Sequence, residues 1–61
     1  MRLKKLRLES GMTQEMLADK TGISRITISK IENDKEKVVT SKTLNALAKA
    51  FDMSIDELLY Y

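Results

Sequence analysis

Residues 13–32 decide the fold of this chain, and they read TQEMLADKTGISRITISKIE. Thr13 and Ser24 are favourable helix N-caps, and apolar residues follow each of them at intervals of three or four. Only Gly22 and Ile23 separate the first apolar series from the second cap. The stretch therefore predicts two short helices joined by a very tight turn, helix two over Thr13–Thr21 and helix three over Ser24–Glu32.

A connection this short forces the two helices to cross sharply, because the chain has no room to turn back as an antiparallel hairpin. Ala18 is small enough for the crossing, and Gly22 tolerates the backbone conformation of the turn. The angle is fixed by an apolar wedge made of Leu17, Ile23, Ile28 and Ile31. These are the mechanical requirements of a helix-turn-helix.

The flanking sequence predicts three more helices and an all-α fold, since the chain has no Pro and only two Gly residues. Leu3 and Leu6 mark an amphipathic segment that ends at Gly11. A later apolar stripe begins after Thr40 or Ser41, and Ser54 and Glu57 form a capping box. The predicted spans are Arg2–Ser10 for helix one, about Ser41–Phe51 for helix four and Ser54 to about Tyr60 for helix five.

On helix five, Ile55, Leu58 and Leu59 are predicted to share a face that completes the core. Tyr60 and Tyr61 then remain as amphipathic residues, for which two interpretations stay open: a contact between two copies of the chain, or a frayed tail.

Size and composition exclude several classes of protein. With 61 residues, the chain is expected to form a single domain spanning 1–61. It has no Cys and no His, which rules out disulfides, thiolate or imidazole metal sites and Ser-His or Cys-His nucleophile pairs. We therefore expect neither an enzyme nor a bound metal or cofactor. The sequence contains no predicted signal segment, membrane span or effector-binding domain, so a cytoplasmic location is expected.

Charge is distributed unevenly along the chain. Residues 1–42 hold ten Lys and Arg against six Asp and Glu, whereas residues 43–61 hold one basic residue and three acidic ones. A basic surface attracts nucleic acid, although ordinary surface charge gives the same pattern equally well.

The exposed side of helix three carries the candidate base contacts. At ~100° per residue, Arg25, Ile26, Ser29, Lys30 and Asn33 fall on one arc, opposite Ile28 and Ile31. Arg and Lys donate to the O6 and N7 atoms of guanine, Ser bonds to several bases, and an exposed Ile packs on a thymine methyl group. The alternatives are a solvated or phosphate-only role for the two cations, and for Ile26 a place in the core or in a protein contact.

Several segments together resemble the Cro/C1-type helix-turn-helix family. They are Thr13–Ala18, Gly22–Arg25, Ile28–Asn33, the stripe Leu44, Leu47, Ala48 and Phe51, and the run Met53–Leu59. The resemblance covers nearly the whole chain. It implies a compact five-helix, lambda-repressor-like DNA-binding domain in which helices two and three form the helix-turn-helix.

The resemblance also implies roles for particular residues. Those matching Gln14, Thr27 and Asn33 contact DNA phosphates, and the one matching Gln14 also braces the recognition helix. The residues that face base edges are those matching Arg25, Ile26, Ser29 and Lys30. The residues matching Arg7 and Glu32 resemble a structural ion pair that joins helix one to the end of helix three. From the residues alone, Gln14 at a helix N-terminus suits a phosphate, with simple capping support as the alternative.

The sequence departs from the family pattern after helix three. Asp34 stands where Gly is common, and the segment Asn33–Val39 is slightly long for the family. Lys35 and Lys37 in this segment are candidate phosphate contacts, with a solvated loop as the equally weighted alternative.

These observations predict a sequence-specific, double-stranded DNA-binding regulator of repressor-like type, with Ser24–Glu32 in the major groove. One recognition helix reads few base pairs, so a homodimer on a palindromic operator is expected. The alternative is an antitoxin-like or anti-regulatory module that uses the same fold to bind a partner protein.

Overall fold

A computed structural model describes residues 1–36 and 38–61. The described residues form five helices and no strands, which confirms the all-α prediction. None of these helices has the length and apolar character required to cross a bilayer. The helices are α1 (Leu3–Glu9), α2 (Gln14–Thr21), α3 (Arg25–Glu32), α4 (Ser41–Ala50) and α5 (Ile55–Leu59).

Hydroxyl caps set the starts of four helices. Thr13, Ser24, Thr40 and Ser54 each accept a hydrogen bond from the backbone N–H three residues later. The capping box of α5 is complete, because the Glu57 side chain also accepts from the Ser54 N–H at 3.0 Å. Each of these helices begins one residue after its cap, so the predicted spans of helices two, three and five start one residue early, on the cap, whereas that of helix four starts at Ser41 as observed.

The turn between α2 and α3 is held by local bonds. Gly22 has φ 76° and donates its N–H to the Ala18 carbonyl at 2.8 Å. The Thr21 hydroxyl donates to the Leu17 carbonyl and accepts from the Ile23 N–H. The left-handed conformation at this point costs a glycine little, so only three residues, the last of them the cap Ser24, separate α2 from α3.

Similar C-terminal motifs end α3 and α4, but there an aspartate takes the left-handed position. Asp34 has φ 56° and Asp52 has φ 55°. After α3, the Lys35 N–H donates to the Lys30 carbonyl at 2.8 Å and the Asp34 N–H donates to the Ile31 carbonyl at 3.3 Å. This pair of bonds is a Schellman motif, which fixes the start of the loop relative to the exposed face of α3.

The core lies between all five helices. Leu17, Ile28, Leu47 and Leu58 are completely buried, one each from α2, α3, α4 and α5, and Leu3 and Leu6 add α1. α2 packs against α3 and α4, and α1 packs against α3. The helix-turn-helix is therefore supported from behind by the other three helices.

The prediction that Leu59 completes the core is wrong. Leu58 is completely buried and Ile55 packs against the core, whereas Leu59 is 44% exposed. On a helix of five residues, Leu59 lies ~100° around the axis from Leu58 and so leaves the narrow face that meets α4. Tyr61 packs against the core, while Tyr60 is 91% exposed.

Candidate nucleic-acid interface

The exposed face of α3 is presented to solvent because its other face is anchored in the core. Ile28 and Ile31 are buried, while Arg25, Ile26 and Lys30 are exposed. Ile26 keeps 71% of its surface exposed, which excludes the alternative that it turns into the core. Single exposed apolar side chains are common on protein surfaces, so what distinguishes Ile26 is its place beside Arg25 and Lys30 on the exposed face of α3.

Seven of the nine residues predicted to contact DNA line a single groove of about 360 Å³. The groove holds three cationic side chains, and no carboxylate is among the described residues that line it. A positive, concave surface of this kind suits the edge of an anionic duplex. The lining consists of Gln14, Arg25, Ile26, Ser29, Lys30, Asn33 and Lys35.

The other two predicted contacts lie elsewhere. Thr27 is half-buried outside the groove lining, and its hydroxyl accepts a hydrogen bond from the Ser24 hydroxyl at 2.9 Å. Lys37 lies outside the described residues.

Asn33 is engaged within the protein. Its amide nitrogen donates to the Ser29 carbonyl at 2.8 Å and approaches the Ser29 hydroxyl at 3.3 Å. A phosphate oxygen therefore has to compete with Ser29 for this amide. The Ser29 hydroxyl retains its own hydrogen for donation to a base.

Arg7 and Glu32, neither of which lines the groove, form a bidentate ion pair. Arg7 Nε donates to Glu32 Oε2 at 2.7 Å and Arg7 Nη2 donates to Oε1 at 3.1 Å. Arg7 Nη1 also donates to the Met12 carbonyl at 2.8 Å, so one guanidinium joins α1, the α1–α2 turn and the end of α3. The two side chains are 8% and 2% exposed, which makes this a sheltered pair.

A third donor reaches the same carboxylate. Gln14 Nε2 donates to Glu32 Oε1 at 3.0 Å. Burial alone raises the pKa of the Glu32 carboxyl, but the hydrogen bonds from Arg7 and Gln14 and the charges of Arg7 and Lys4 together lower that pKa below its ordinary value. The carboxylate form is therefore the one that the fold stabilises.

The resemblance implies that Gln14 braces the recognition helix, but the sequence does not identify Glu32, at the end of α3, as the partner of Gln14. The two residues are 18 positions apart and belong to different helices. No local pattern connects them, and only the crossing angle of α2 and α3 brings them together.

Comparison with known proteins identifies the family of this chain. The sequence model of a family described as helix-turn-helix matches residues 3–58. The chain belongs to the Cro/C1-type helix-turn-helix family. Membership in this family identifies residues 3–58 as a helix-turn-helix domain of the DNA-binding type.

One relative is the HTH-type transcriptional activator BcrR of Enterococcus faecalis. It is 40% identical to this chain over 58 residues, which is 95% of this chain and 28% of the relative. This chain thus spans little more than a quarter of that protein's length. No solved structure gave a significant match.

Proposed function

We propose that residues 1–61 form one DNA-binding domain that recognises a specific duplex sequence by inserting α3 into the major groove. The observation that carries this proposal is the groove beside α3, where three cations and the exposed Ile26 lie on one surface. A recognition helix needs one buried face to hold it and one exposed face to read base edges. Two buried isoleucines on the opposite face supply the first requirement.

The side chains divide into two proposed roles. Arg25 and Lys30 donate to guanine, Ser29 bonds to a base edge, and Ile26 covers a thymine methyl group. Phosphate contacts set the register of the domain without reading sequence. The proposed phosphate contacts are Gln14, Thr27, Asn33 and Lys35, together with Lys37 from outside the described residues.

We propose that two copies bind a palindromic operator, because a domain of this size covers few base pairs alone. Leu59 and Tyr60 are exposed at the end of α5 and are the candidate contact between the copies. The proposed effect is repression of transcription, since a bound dimer blocks other proteins from its operator. The relative named above is an activator. A reporter assay decides whether this chain lowers or raises transcription. We propose that the domain acts in the cytoplasm, as expected of a protein that binds duplex DNA there.

The test combines site selection with alanine variants. Bound duplexes are selected from a random library, and the affinity of the unaltered chain is then compared with R25A and K30A on the selected site and on its single-base variants. Each variant is expected to cost about 1 to 3 kcal/mol and to relax preference at particular base positions. The spacing of the selected half-sites reports whether two copies bind.

Equal losses on selected and random duplexes for R25A and K30A contradict the base-reading roles. Circular dichroism spectra of both variants confirm that they are folded before affinities are compared. Selected sites without two-fold symmetry contradict the palindromic operator.

A second candidate function is binding of a partner protein, favoured by the exposure of Ile26 and Tyr60. Salt separates the two functions. Affinity for random duplex falls steeply with salt because phosphate contacts release counterions, whereas an apolar protein contact responds weakly. A chain that shows no salt-dependent duplex binding supports the partner-protein function.

A further inference from the structure

The carboxylate of Glu32 joins the fold of the domain to its proposed DNA surface. Its two oxygens accept three hydrogen bonds, two from Arg7 and one from the side-chain amide of Gln14. Arg7 belongs to α1 and does not line the groove, whereas Gln14 is one of the residues that line it. The carboxylate is therefore shared between a structural partner and a surface residue.

Gln14 is held before any ligand arrives. It is the first residue of α2 and is half-buried. One N–H of its amide donates to Glu32 at 3.0 Å, which leaves the second N–H for another acceptor. A long polar side chain normally loses rotamer freedom when it binds a ligand, and here that loss is incurred on folding.

We infer that Glu32 is a positioning residue for the phosphate contact of Gln14, in addition to its ion pair with Arg7. This inference rests on the proposed DNA-binding function. The carboxylate fixes the side of the amide that carries hydrogen, so the remaining N–H faces a phosphate oxygen as a preorganised donor.

The sign of one substitution separates positioning from electrostatics. Glu32→Gln removes a negative charge at nearly constant shape. If the carboxylate acted on DNA only through its charge, its loss would strengthen binding to the anionic duplex. If the carboxylate positions Gln14, its loss weakens binding.

The experiment is a double-mutant cycle on a random-sequence duplex, followed by fluorescence anisotropy. The unaltered chain, Q14A, E32Q and the double variant Q14A/E32Q are compared at a temperature where circular dichroism shows all four folded. We expect Q14A to weaken binding about tenfold and E32Q about fivefold, with E32Q costing less than about twofold in the Q14A background.

Asp34→Asn is the matched control. It removes a carboxylate from an exposed residue just beyond the end of α3, and Asn tolerates the left-handed backbone found there. D34N is expected to bind random duplex slightly more tightly than the unaltered chain, opposite in sign to E32Q. Neither Q14A nor E32Q should change the salt slope, whereas K35A should lower it by about one.

If E32Q does not fold, the unaltered chain still tests the inference. Gln14 is the only glutamine in the sequence, so its side-chain amide is distinguished from those of the two asparagines by its correlation to γ rather than β protons. Nuclear magnetic relaxation of that amide is expected to show restrained motion in the absence of DNA. A freely rotating amide overturns the inference.

The remaining outcomes are also decisive. An E32Q penalty that persists unchanged in the Q14A background, or tighter binding by E32Q, overturns the positioning role. Normal binding by Q14A overturns this inference alone and leaves the proposed function in place. Absence of duplex binding by the unaltered chain overturns both.

Discussion

Ile26 and Ile28 are identical side chains two residues apart on α3, and we predict that truncating them has opposite consequences. Ile28 is completely buried, whereas Ile26 is 71% exposed. Ile28→Ala removes buried methyl groups and leaves a cavity, which costs about 2 to 5 kcal/mol of unfolding free energy. Less than a third of Ile26 is covered by the protein, so Ile26→Ala should cost under about 0.5 kcal/mol.

The order reverses on DNA. A thymine methyl group against Ile26 buries roughly 50 Å² of apolar surface, or about 1.2 kcal/mol at 25 cal/mol per Å². That energy corresponds to about eightfold in affinity. I26A should therefore bind the selected operator about eightfold more weakly, while folded I28A should keep most of its affinity.

Two measurements check this prediction, urea unfolding for stability and fluorescence anisotropy for affinity. An operator in which uracil replaces the contacted thymine lacks the methyl group, so the unaltered chain should lose about eightfold on it. I26A should bind the two operators equally. A uracil penalty of the same size for I26A and the unaltered chain refutes the methyl contact, and a stability loss in I26A equal to that of I28A refutes the exposure argument.

Two further predictions concern stability. Asp34→Gly should stabilise the fold by about 0.5 kcal/mol, because Gly takes the left-handed backbone conformation with less strain than Asp. Asp52→Gly, at the equivalent position after α4, is the control away from α3. A lower urea midpoint for both variants would contradict this explanation. The Glu32 carboxyl has a pKa in the folded chain that lies below its ordinary value of 4.5, so its contribution to stability is present above that pH and is lost as the pH falls through the folded pKa. Urea unfolding between pH 7 and pH 3 should show this loss in the unaltered chain and a shallower loss in E32Q.

Local features of this fold were predictable from sequence because their causes lie within a few residues. Thr13 and Ser24 bond to backbone groups three residues later, so a hydroxyl in the right place before an apolar series is enough to locate each helix start. The isoleucines of α3 were assigned to faces by helical period alone, and the observed burial follows that assignment.

The errors arise where a short helix meets its neighbour. The apolar pattern of α5 does not show how wide a face α4 can cover, and that width decides between burial and exposure for Leu59. Helical period gives directions around an axis, whereas burial depends on the extent of the opposing surface.

The candidate site divides in the same way. Arg25 and Lys30 were found from a helical wheel, because one helix fixes their directions. The short connection between α2 and α3 predicts a sharp crossing but not its exact angle, and that angle decides which residue of α3 meets Gln14. A single sequence therefore identifies the side chains available to read DNA more readily than the contacts that hold them in place. Such contacts are found by looking in the structure for a buried charged group that accepts hydrogen bonds from residues other than its ion-pair partner. Glu32 is such a group, because it accepts from Gln14 as well as from Arg7.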